Sequence, residues 1–328
     1  MEHYRYRVLL LTTLAFATTM TARLVISPLV PGITTSLNVS TSEMGLVLTG
    51  MWAAYAVSQY PGGFLANTYG ERHVILAAIG SIAVTSVLLA VAPIFWLFAI
   101  VTIVLGAGAG LPYSATTSLL STNFDDIGSA IGVYIAGGPF AGLVVPIVAT
   151  RLGTMFGWRA AMLVGAVVAV PVFVAIALGI DTRLRDDEHE SADVSPSSTS
   201  VFELVGRPGI RYTILIAVGG AFTWQAIASF LPTFLVEYWA LSIQRAGVLF
   251  SVYFVVHGLT QPVTGWVSDR VGRDWAGVLT TGGSHGGTLC ASLRAESGNA
   301  PRRHRIHRTR HELGYPGSIP VHGSATSG

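Results

Sequence analysis

One arginine lies deep within an apolar stretch near the beginning of the chain. Arg23 follows Val8 by about 15 residues, which places it roughly 22 Å along a helix at 1.5 Å per residue. A helix would put Thr12, Thr19 and Ser27 on the same stripe as Arg23. A guanidinium pairs bidentately with carboxylate or phosphate, so this pattern predicts a binding site for an anion. The alternative is an arginine that donates only to backbone carbonyls of a neighbouring helix.

Further polar side chains within apolar stretches are candidates for contact with a solute. They are Tyr55, Gln59, Gln225 and His257. His257 could also exchange protons near neutral pH. Hydrogen bonding between helices, at ~0.6 kcal/mol per bond, is the alternative use of Tyr55, Gln59 and Gln225. For Trp52 and Tyr253 we favour packing between helices.

The sequence offers little for catalysis. No aspartate or glutamate falls in the middle of an apolar stretch, so a carboxylate proton relay has no obvious host. The pattern also lacks a nucleophile–base pair, a phosphate-binding glycine loop and a cluster of metal ligands. We therefore predict no enzyme activity, cofactor or metal. The single cysteine, Cys290, excludes an internal disulfide framework.

The composition predicts a membrane protein. Of 328 residues, 51% are hydrophobic and 11% are charged, whereas a soluble domain carries about 25% charged residues. A membrane span needs about 20 apolar residues. Eight spans are predicted, at residues 8–31, 44–66, 73–92, 94–114, 128–149, 159–180, 212–235 and 246–267. The lipid bilayer is therefore a predicted partner.

The placement of arginines predicts a cytoplasmic N-terminus in a cell membrane. With that orientation nine arginines face the cytoplasm: Arg5, Arg7, Arg72, Arg183, Arg185, Arg207, Arg211, Arg270 and Arg273. Three face outward: Arg151, Arg159 and Arg245. Cytoplasmic loops carry an excess of basic residues, so this distribution favours the orientation chosen.

Changes in composition divide the chain into four segments. Residues 1–180 contain six spans, and residues 181–211 form an acidic and serine-rich cytoplasmic linker. Residues 212–274 contain two spans. Residues 275–328 are rich in glycine, histidine and arginine and are predicted to be disordered.

Two related motifs lie where one span ends and the next would begin. The later copy contains Gly265, Asp269, Arg270, Gly272 and Arg273, and the earlier one contains Gly63, Asn67, Gly70 and Arg72. An offset of 202 residues relates the two copies and extends beyond them without gaps, for example from Ser27 to Ser229. Such self-similarity indicates two parallel structural repeats.

The later motif resembles the loop motif of the major facilitator superfamily, Gly-x-x-x-Asp-Arg-x-Gly-Arg. In the earlier copy Asn67 and Thr68 stand where the family has aspartate and arginine. The resemblance implies an all-α membrane bundle in which about eight of the usual twelve helices are present. It also implies a secondary transporter that moves a small solute by alternating access, with H⁺ or Na⁺ as a possible coupling ion and no nucleic acid partner.

Finer resemblances suggest the class of solute. The layout around Arg23 and Tyr55 is similar to the organic-anion branches of the family, in which an arginine of the first helix meets the anionic group. The sequence Gly138-Pro139-Phe140-Ala141-Gly142 resembles part of the antiporter motif and leaves a drug/proton antiporter as an alternative. A sensor or scaffold without transport is a third interpretation.

The resemblance ends near residue 275. Position 275 onward should mirror position 73 onward, but Arg302, Arg303, Arg305, Arg308 and Arg310 could not enter a bilayer at a cost of ~2.5 kcal/mol or more each. We expect out-of-frame translation of a truncated chain and, because alternating access needs two opposed halves, no transport by the chain as written. A basic tail that binds anionic lipid or nucleic acid is the alternative.

Overall fold

The computed structural model describes residues 2–180 and 208–271, with side chains described as far as residue 260. The chain divides into two compact units, Met1–Val263 and Thr264–Gly328. All packing described below lies within the first unit.

Regular structure in the described ranges is helical. The α-helices are α1 (Glu2–Leu24), α2 (Val30–Leu37), α3 (Thr41–Tyr69), α4 (Glu71–Val91), α5 (Phe95–Gly110), α6 (Pro112–Asn123), α7 (Ile127–Phe156), α8 (Trp158–Gly179), α9 (Pro208–Glu237) and α10 (Ile243–Val271). A 3₁₀ helix, Ser27–Leu29, joins α1 to α2. The predicted all-α class is confirmed for these residues.

Every predicted span falls largely on helix, and span 8–31 is interrupted between α1 and α2. Five stretches among the described residues are long and apolar enough to cross a membrane: His3–Leu37, Glu71–Val91, Phe95–Asn123, Ile127–Phe156 and Trp158–Gly179. The other predicted spans correspond to α3, α9 and α10, which contain 29, 30 and 29 residues. Each is longer than the ~20 residues that a span requires.

Polar caps begin two of these helices. At α3 the Ser40 hydroxyl accepts from the Glu43 backbone N–H at 3.2 Å, while Glu43 accepts from the Ser40 backbone N–H at 2.7 Å. At α7 the Asp126 carboxylate accepts from the Ser129 hydroxyl at 2.6 Å. These hydrogen bonds lower the pKa of both carboxyl groups, Glu43 and Asp126. Both carboxylates are therefore held in the charged form that suits the positive end of a helix.

The threonines of α1 hydrogen-bond to their own helix. Their hydroxyls donate to carbonyls three or four residues earlier at 2.7–2.9 Å: Thr12 to Val8, Thr13 to Leu9, Thr18 to Leu14, Thr19 to Phe16 and Thr21 to Ala17. These hydroxyls need no partner on another helix, which lets α1 pass through an apolar interior.

Glycines allow two pairs of helices to approach closely. A side chain at Gly106 of α5 would overlap the backbone carbonyl of Met51 on α3. A side chain at Gly142 of α7 would overlap the ring of Phe254 on α10. Small residues at membrane helix contacts permit such approach, and here they seat α3 and α10 against the rest of the bundle.

Contacts at the helix ends sort these ends into two groups. At one end the Arg72 Nη2 donates to the Ala177 carbonyl at 2.6 Å. At the other end Arg159 donates to the Ser36 hydroxyl at 3.3 Å and to the Ala92 carbonyl at 3.2 Å. This grouping agrees with helices that cross the bundle in alternating directions.

Candidate functional site

Arg23 is the largest fully buried side chain in the described residues and is 1% exposed. It lies in the last turn of α1, just before the 3₁₀ helix. Its Nε donates to the Thr19 carbonyl at 3.0 Å, and its Nη2 lies 3.5 Å from the Thr19 hydroxyl. Both bonds remain within α1, so the guanidinium is not held by the backbone of a neighbouring helix.

The third nitrogen of this guanidinium is unpaired. Nη1 of Arg23 is buried and has no hydrogen-bond partner among the residues whose structure is described. The acidic residues with described side chains are at helix ends or in loops, as in Glu43, Asp126 and Glu237. The described part of the bundle therefore holds a buried cation without an anionic partner.

Aromatic rings surround the Arg23 guanidinium. Its Cζ lies 4.1 Å from the ring centroid of Tyr55 and 4.7 Å from that of Trp52. A cation over an aromatic face is stabilised by ~2 kcal/mol when water is excluded. Tyr134 of α7, which is 1% exposed, packs against Phe16 of α1, with ring centroids 4.8 Å apart. The rings of Tyr55 and Trp52 compensate part of the cost of burying the charge, and Nη1 has no hydrogen-bond partner among the described residues.

Helix α9 packs beside Trp52 and the end of α1 and accepts two hydrogen bonds there. The Trp52 Nε1 donates to the Ser229 hydroxyl at 3.1 Å, and the Ser27 hydroxyl donates to the Ala228 carbonyl at 2.6 Å. Ser27 and Ser229 are related by the predicted repeat, and Ser27 donates to the residue that precedes Ser229.

Two adjacent residues of α9 present unpaired buried atoms. The Nε1 of Trp224 and the Oε1 of Gln225 have no hydrogen-bond partner in the described part of the chain. Trp224 packs edge-on against Trp52, with ring centroids 5.9 Å apart. Gln225 precedes Ser229 by one turn and so lies on the face of α9 that contacts Trp52.

Two further predicted site residues, His257 and Gln59, make contacts with residues other than Arg23. His257 of α10 stacks on Tyr253, with ring centroids 6.0 Å apart, and lies 6.3 Å from the ring of Trp224. Gln59 is one turn beyond Tyr55, and its backbone carbonyl accepts from the Ser114 hydroxyl at 2.8 Å. The structure thus brings Arg23 and Tyr55 into contact, places Gln225 and His257 near the tryptophans, and ties Gln59 to α6.

Sequence reasoning missed the part played by the tryptophans. The sequence favours packing between helices for Trp52, and it marks Trp224 only by its place beside Gln225. A residue's contacts across a bundle depend on the rotation of each helix, which a single sequence does not fix. The predicted repeat gives one signal for the part of the site on α9, because Gln225 stands at the position equivalent to Arg23.

The earlier of the two loop motifs ties helices of the first repeat together. Gly70 has φ +88°, a conformation that a residue with a Cβ rarely adopts, and it separates α3 from α4. Arg72 donates to the last turn of α8, as described above, and Glu71 accepts from the Ser118 hydroxyl at 3.1 Å. Asn67 is exposed, and Gly63 lies within α3 against Ser114.

The later motif is described only in part. Helix α10 includes Gly265, Asp269 and Arg270, for which the backbone alone is described. Gly272 and Arg273 lie outside the described residues. The predicted linker 181–211 is described only from residue 208, and the tail 275–328 also lies outside those residues. The resemblance to the family's loop motif also implies that both motifs gate access to the solute site, and this role stays a prediction.

The partial antiporter motif forms a helix contact. Gly142 seats the ring of Phe254, and Pro139 lies against Gly258. A separate apolar cavity of about 440 Å³ lies between α1, α7 and α8, with Thr21, Phe140, Val145 and Leu163 among its lining. Arg23 is not part of that lining. The Arg23 guanidinium is therefore buried among the helices and does not face this cavity.

Residues 11–295 match the family model described as Major Facilitator Superfamily. This match covers most of the chain, and the protein belongs to the major facilitator superfamily. The family predicted from the loop motif is confirmed. The matched range extends beyond residue 274, and the four segment boundaries predicted from composition stay predictions.

Similarity to individual proteins is more distant. The chain is 25% identical to the hexuronate transporter of Bacillus subtilis (strain 168) over 262 residues, which are 76% of this chain and 61% of that protein. It is 24% identical to the probable nitrate transporter NarT of Staphylococcus epidermidis over 268 residues, 80% of this chain and 66% of that one. The chain spans less than two thirds of each.

A solved structure shares the fold. The chain superposes on a bacterial homolog of the human lysosomal transporter Spinster, in an inward-facing and unoccupied conformation, with a TM-score of 0.71 and 18% sequence identity. The superposition covers 81% of this chain and 63% of that one. The bundle predicted from the sequence is thus confirmed as a fold of this superfamily.

Proposed function

We propose that this protein is a multi-pass secondary transporter of the cell membrane, not an enzyme, that moves a small organic anion by alternating access. Arg23 is the residue that binds the anion. The observation that carries this proposal is the buried Arg23 guanidinium, 1% exposed, whose Nη1 has no partner in the described residues.

The physical argument concerns the cost of this cation. A buried charge is stable only when it is paired or hydrogen-bonded, and an unpaired one costs several kcal/mol. Tyr55 and Trp52 supply part of the compensation through their ring faces. A carboxylate at Nη1 would supply the rest, because a charge-assisted hydrogen bond is about twice as strong as a neutral one.

The relatives support an anion as the solute. The names of the two transporters compared above specify a hexuronate and nitrate, and both solutes are anions. By analogy with this family, H⁺ or Na⁺ could couple to transport. We assign proton exchange to His257, because histidine is the side chain that ordinarily changes charge near neutral pH. His257 lies beside Trp224, with ring centroids 6.3 Å apart.

Replacement of Arg23 tests the proposal. We expect Arg23→Gln to abolish equilibrium binding of carboxylates to the purified chain in nanodiscs. Arg23→Lys should retain weaker binding, because lysine keeps the charge but loses the planar fork. Arg245→Gln is the control, since Arg245 is an exposed arginine at the beginning of α10.

Unchanged carboxylate binding by Arg23→Gln would show the proposal to be wrong. Binding of a lipophilic cation instead, unaffected by this substitution, would favour the drug/proton antiporter. Both variants and the control must elute as the wild type does in gel filtration, so that loss of binding is not loss of fold.

A further inference from the structure

An apolar groove runs between α1, α7 and α8. It is the cavity of about 440 Å³ described above, and Arg23 is not part of its lining. Its floor contains buried side chains such as Thr21 and Val145. Its rims contain Phe140 and Val167, which are 64% and 70% exposed. The groove therefore opens sideways, towards whatever surrounds the bundle.

The lining of the groove offers no hydrogen bond to an occupant. Of the described residues that line it, Thr21 alone has a polar side chain, and its hydroxyl donates to the Ala17 carbonyl at 2.8 Å. A polar solute would lose its bonds to water on entering and gain none in return. Water needs two to four polar partners to occupy such a site. The groove therefore suits an apolar chain.

The dimensions of the groove fit one hydrocarbon chain. Its lining extends from Phe140 to Leu152 on α7 and from Ala160 to Val172 on α8, which is ~18 Å at 1.5 Å per residue. One leaflet supplies ~15 Å of hydrocarbon, half of the bilayer core. A volume of about 440 Å³ over this length gives a mean cross-section of roughly 25 Å², whereas a helix ~10 Å across needs roughly three times that area. The groove thus accommodates one acyl chain and is too narrow to seat a helix of a second copy.

A cation lies at one end of this groove. Arg151 follows the rim residue Val144 by seven positions and so lies on the same stripe of α7, near the end of that helix at Phe156. Arg151 is exposed, and its guanidinium makes no hydrogen bond or ion pair with the described residues. Arg159, at the beginning of α8, differs because it donates to the Ala92 carbonyl at 3.2 Å. Arg151 can therefore pair with an anion above the end of the groove.

We propose that the groove binds an anionic phospholipid of the surrounding bilayer, with one acyl chain between α7 and α8 and the headgroup phosphate on Arg151. A guanidinium pairs bidentately with phosphate. A zwitterionic headgroup carries its own cation, which repels the guanidinium, so a lipid with net negative charge is preferred. The chain supplies the dispersion contacts that an empty groove would lack. This site goes beyond the proposed function, because it holds a resident lipid and does not involve the transported solute.

Photo-crosslinking locates the lipid. The probe is phosphatidylglycerol with a diazirine in one acyl chain, added in trace amount to nanodiscs that contain the purified chain. We expect the crosslinked peptides to come mainly from residues 140–152 and 160–172. Labelling should be about fivefold weaker in a phosphatidylglycerol matrix than in phosphatidylcholine with the same chains, because an arginine near the surface favours anionic lipid by about that factor.

Two variants test the two parts of the site. Arg151→Gln should lower the labelling about fivefold in phosphatidylcholine and remove the difference between the two matrices. Arg7→Gln, at an exposed arginine of α1, is the matched control and should change neither. Val168→Trp should fill the groove and suppress labelling in both matrices, because Val168 lines it. Gel filtration and circular dichroism must show that each variant remains folded.

Three outcomes would overturn this proposal. Labelling spread evenly over the exposed faces of all helices would indicate ordinary contact with bulk lipid. Labelling unchanged by Arg151→Gln would show that the phosphate does not bind this residue. A dimer in gel filtration, with α7 and α8 protected from the probe, would mean that a second copy covers the groove. Each of these outcomes leaves the carboxylate-binding test of Arg23 unaffected.

Discussion

At the scale of single residues, the Arg23 guanidinium lies against the rings of Tyr55 and Trp52, which belong to a different helix. The sequence places a charge where only apolar residues are expected, and that anomaly is visible without a structure. Which rings contact it depends on how α3 and α9 are rotated, and nothing in a single sequence reports that rotation. The contacts of Trp52 with both Arg23 and Ser229 therefore emerged only from the fold.

The hydrogen bond between Trp52 and Ser229 should contribute measurably to the stability of the bundle. Trp52→Phe removes the indole N–H and keeps a ring near Arg23, so we expect a loss of ~0.6 kcal/mol, typical of one hydrogen bond between membrane helices. Ser229→Ala should cost a similar amount. Denaturant unfolding in detergent, followed by circular dichroism, measures both.

A double-mutant cycle makes this test specific. If the bond is real, the double variant costs no more than either single variant, because both remove the same interaction. Fully additive losses would indicate that Trp52 and Ser229 act independently and that the bond does not form.

At the scale of elements, helix positions follow from apolar length, while helix ends follow from caps. Span 44–66 is observed as Thr41–Tyr69, because Ser40 and Glu43 begin α3 earlier and Gly70 ends it. Span 8–31 is observed as α1, a 3₁₀ helix and α2. Pro28 lies within that 3₁₀ helix, where its ring and missing N–H disfavour continuous α-helix. Hydropathy does not register such interruptions.

The contact between α7 and α10 should depend on the absence of a side chain at residue 142. Gly142→Ala would place a methyl group against the ring of Phe254, and we expect a destabilisation of ~1–3 kcal/mol from overpacking. Thermal unfolding of the purified protein in detergent measures this effect.

Helix α7 supplies its own control. A side chain at Gly132 would meet no atom within 4 Å, so Gly132→Ala should be neutral or stabilise the helix by up to ~1 kcal/mol through reduced backbone entropy. Equal effects of the two substitutions would mean that helix propensity, and not the fit against Phe254, governs residue 142.

At the scale of the whole molecule, the distribution of arginines predicted which helix ends lie together. Arg72 and Ala177 meet at one end, and Arg159 and Ser36 meet at the other. These contacts agree with the predicted alternation of spans. The expectation of an out-of-frame tail without transport falls on residues outside those described and stays a prediction.

Cysteine labelling determines the orientation. In a Cys290→Ser background, Thr35→Cys should react with a membrane-impermeant maleimide in intact cells, because residues 34–42 are predicted to lie outside. Ser121→Cys and Ser198→Cys should react only after permeabilisation. Thr35 and Ser121 are exposed and lie at opposite ends of the bundle. The reverse labelling pattern would overturn the predicted cytoplasmic N-terminus.

The threonine hydroxyls of α1 give the helix that carries Arg23 a low bending stiffness. Bending a helix lengthens the backbone hydrogen bonds on its convex side. The carbonyls of Leu9, Leu14 and Ala17 each accept from a threonine hydroxyl in addition to a backbone N–H. Such a carbonyl keeps a partner when its backbone bond stretches, even where no water can reach it. Flexure of α1 would therefore cost little, and the guanidinium of Arg23 can shift with the helix that carries it.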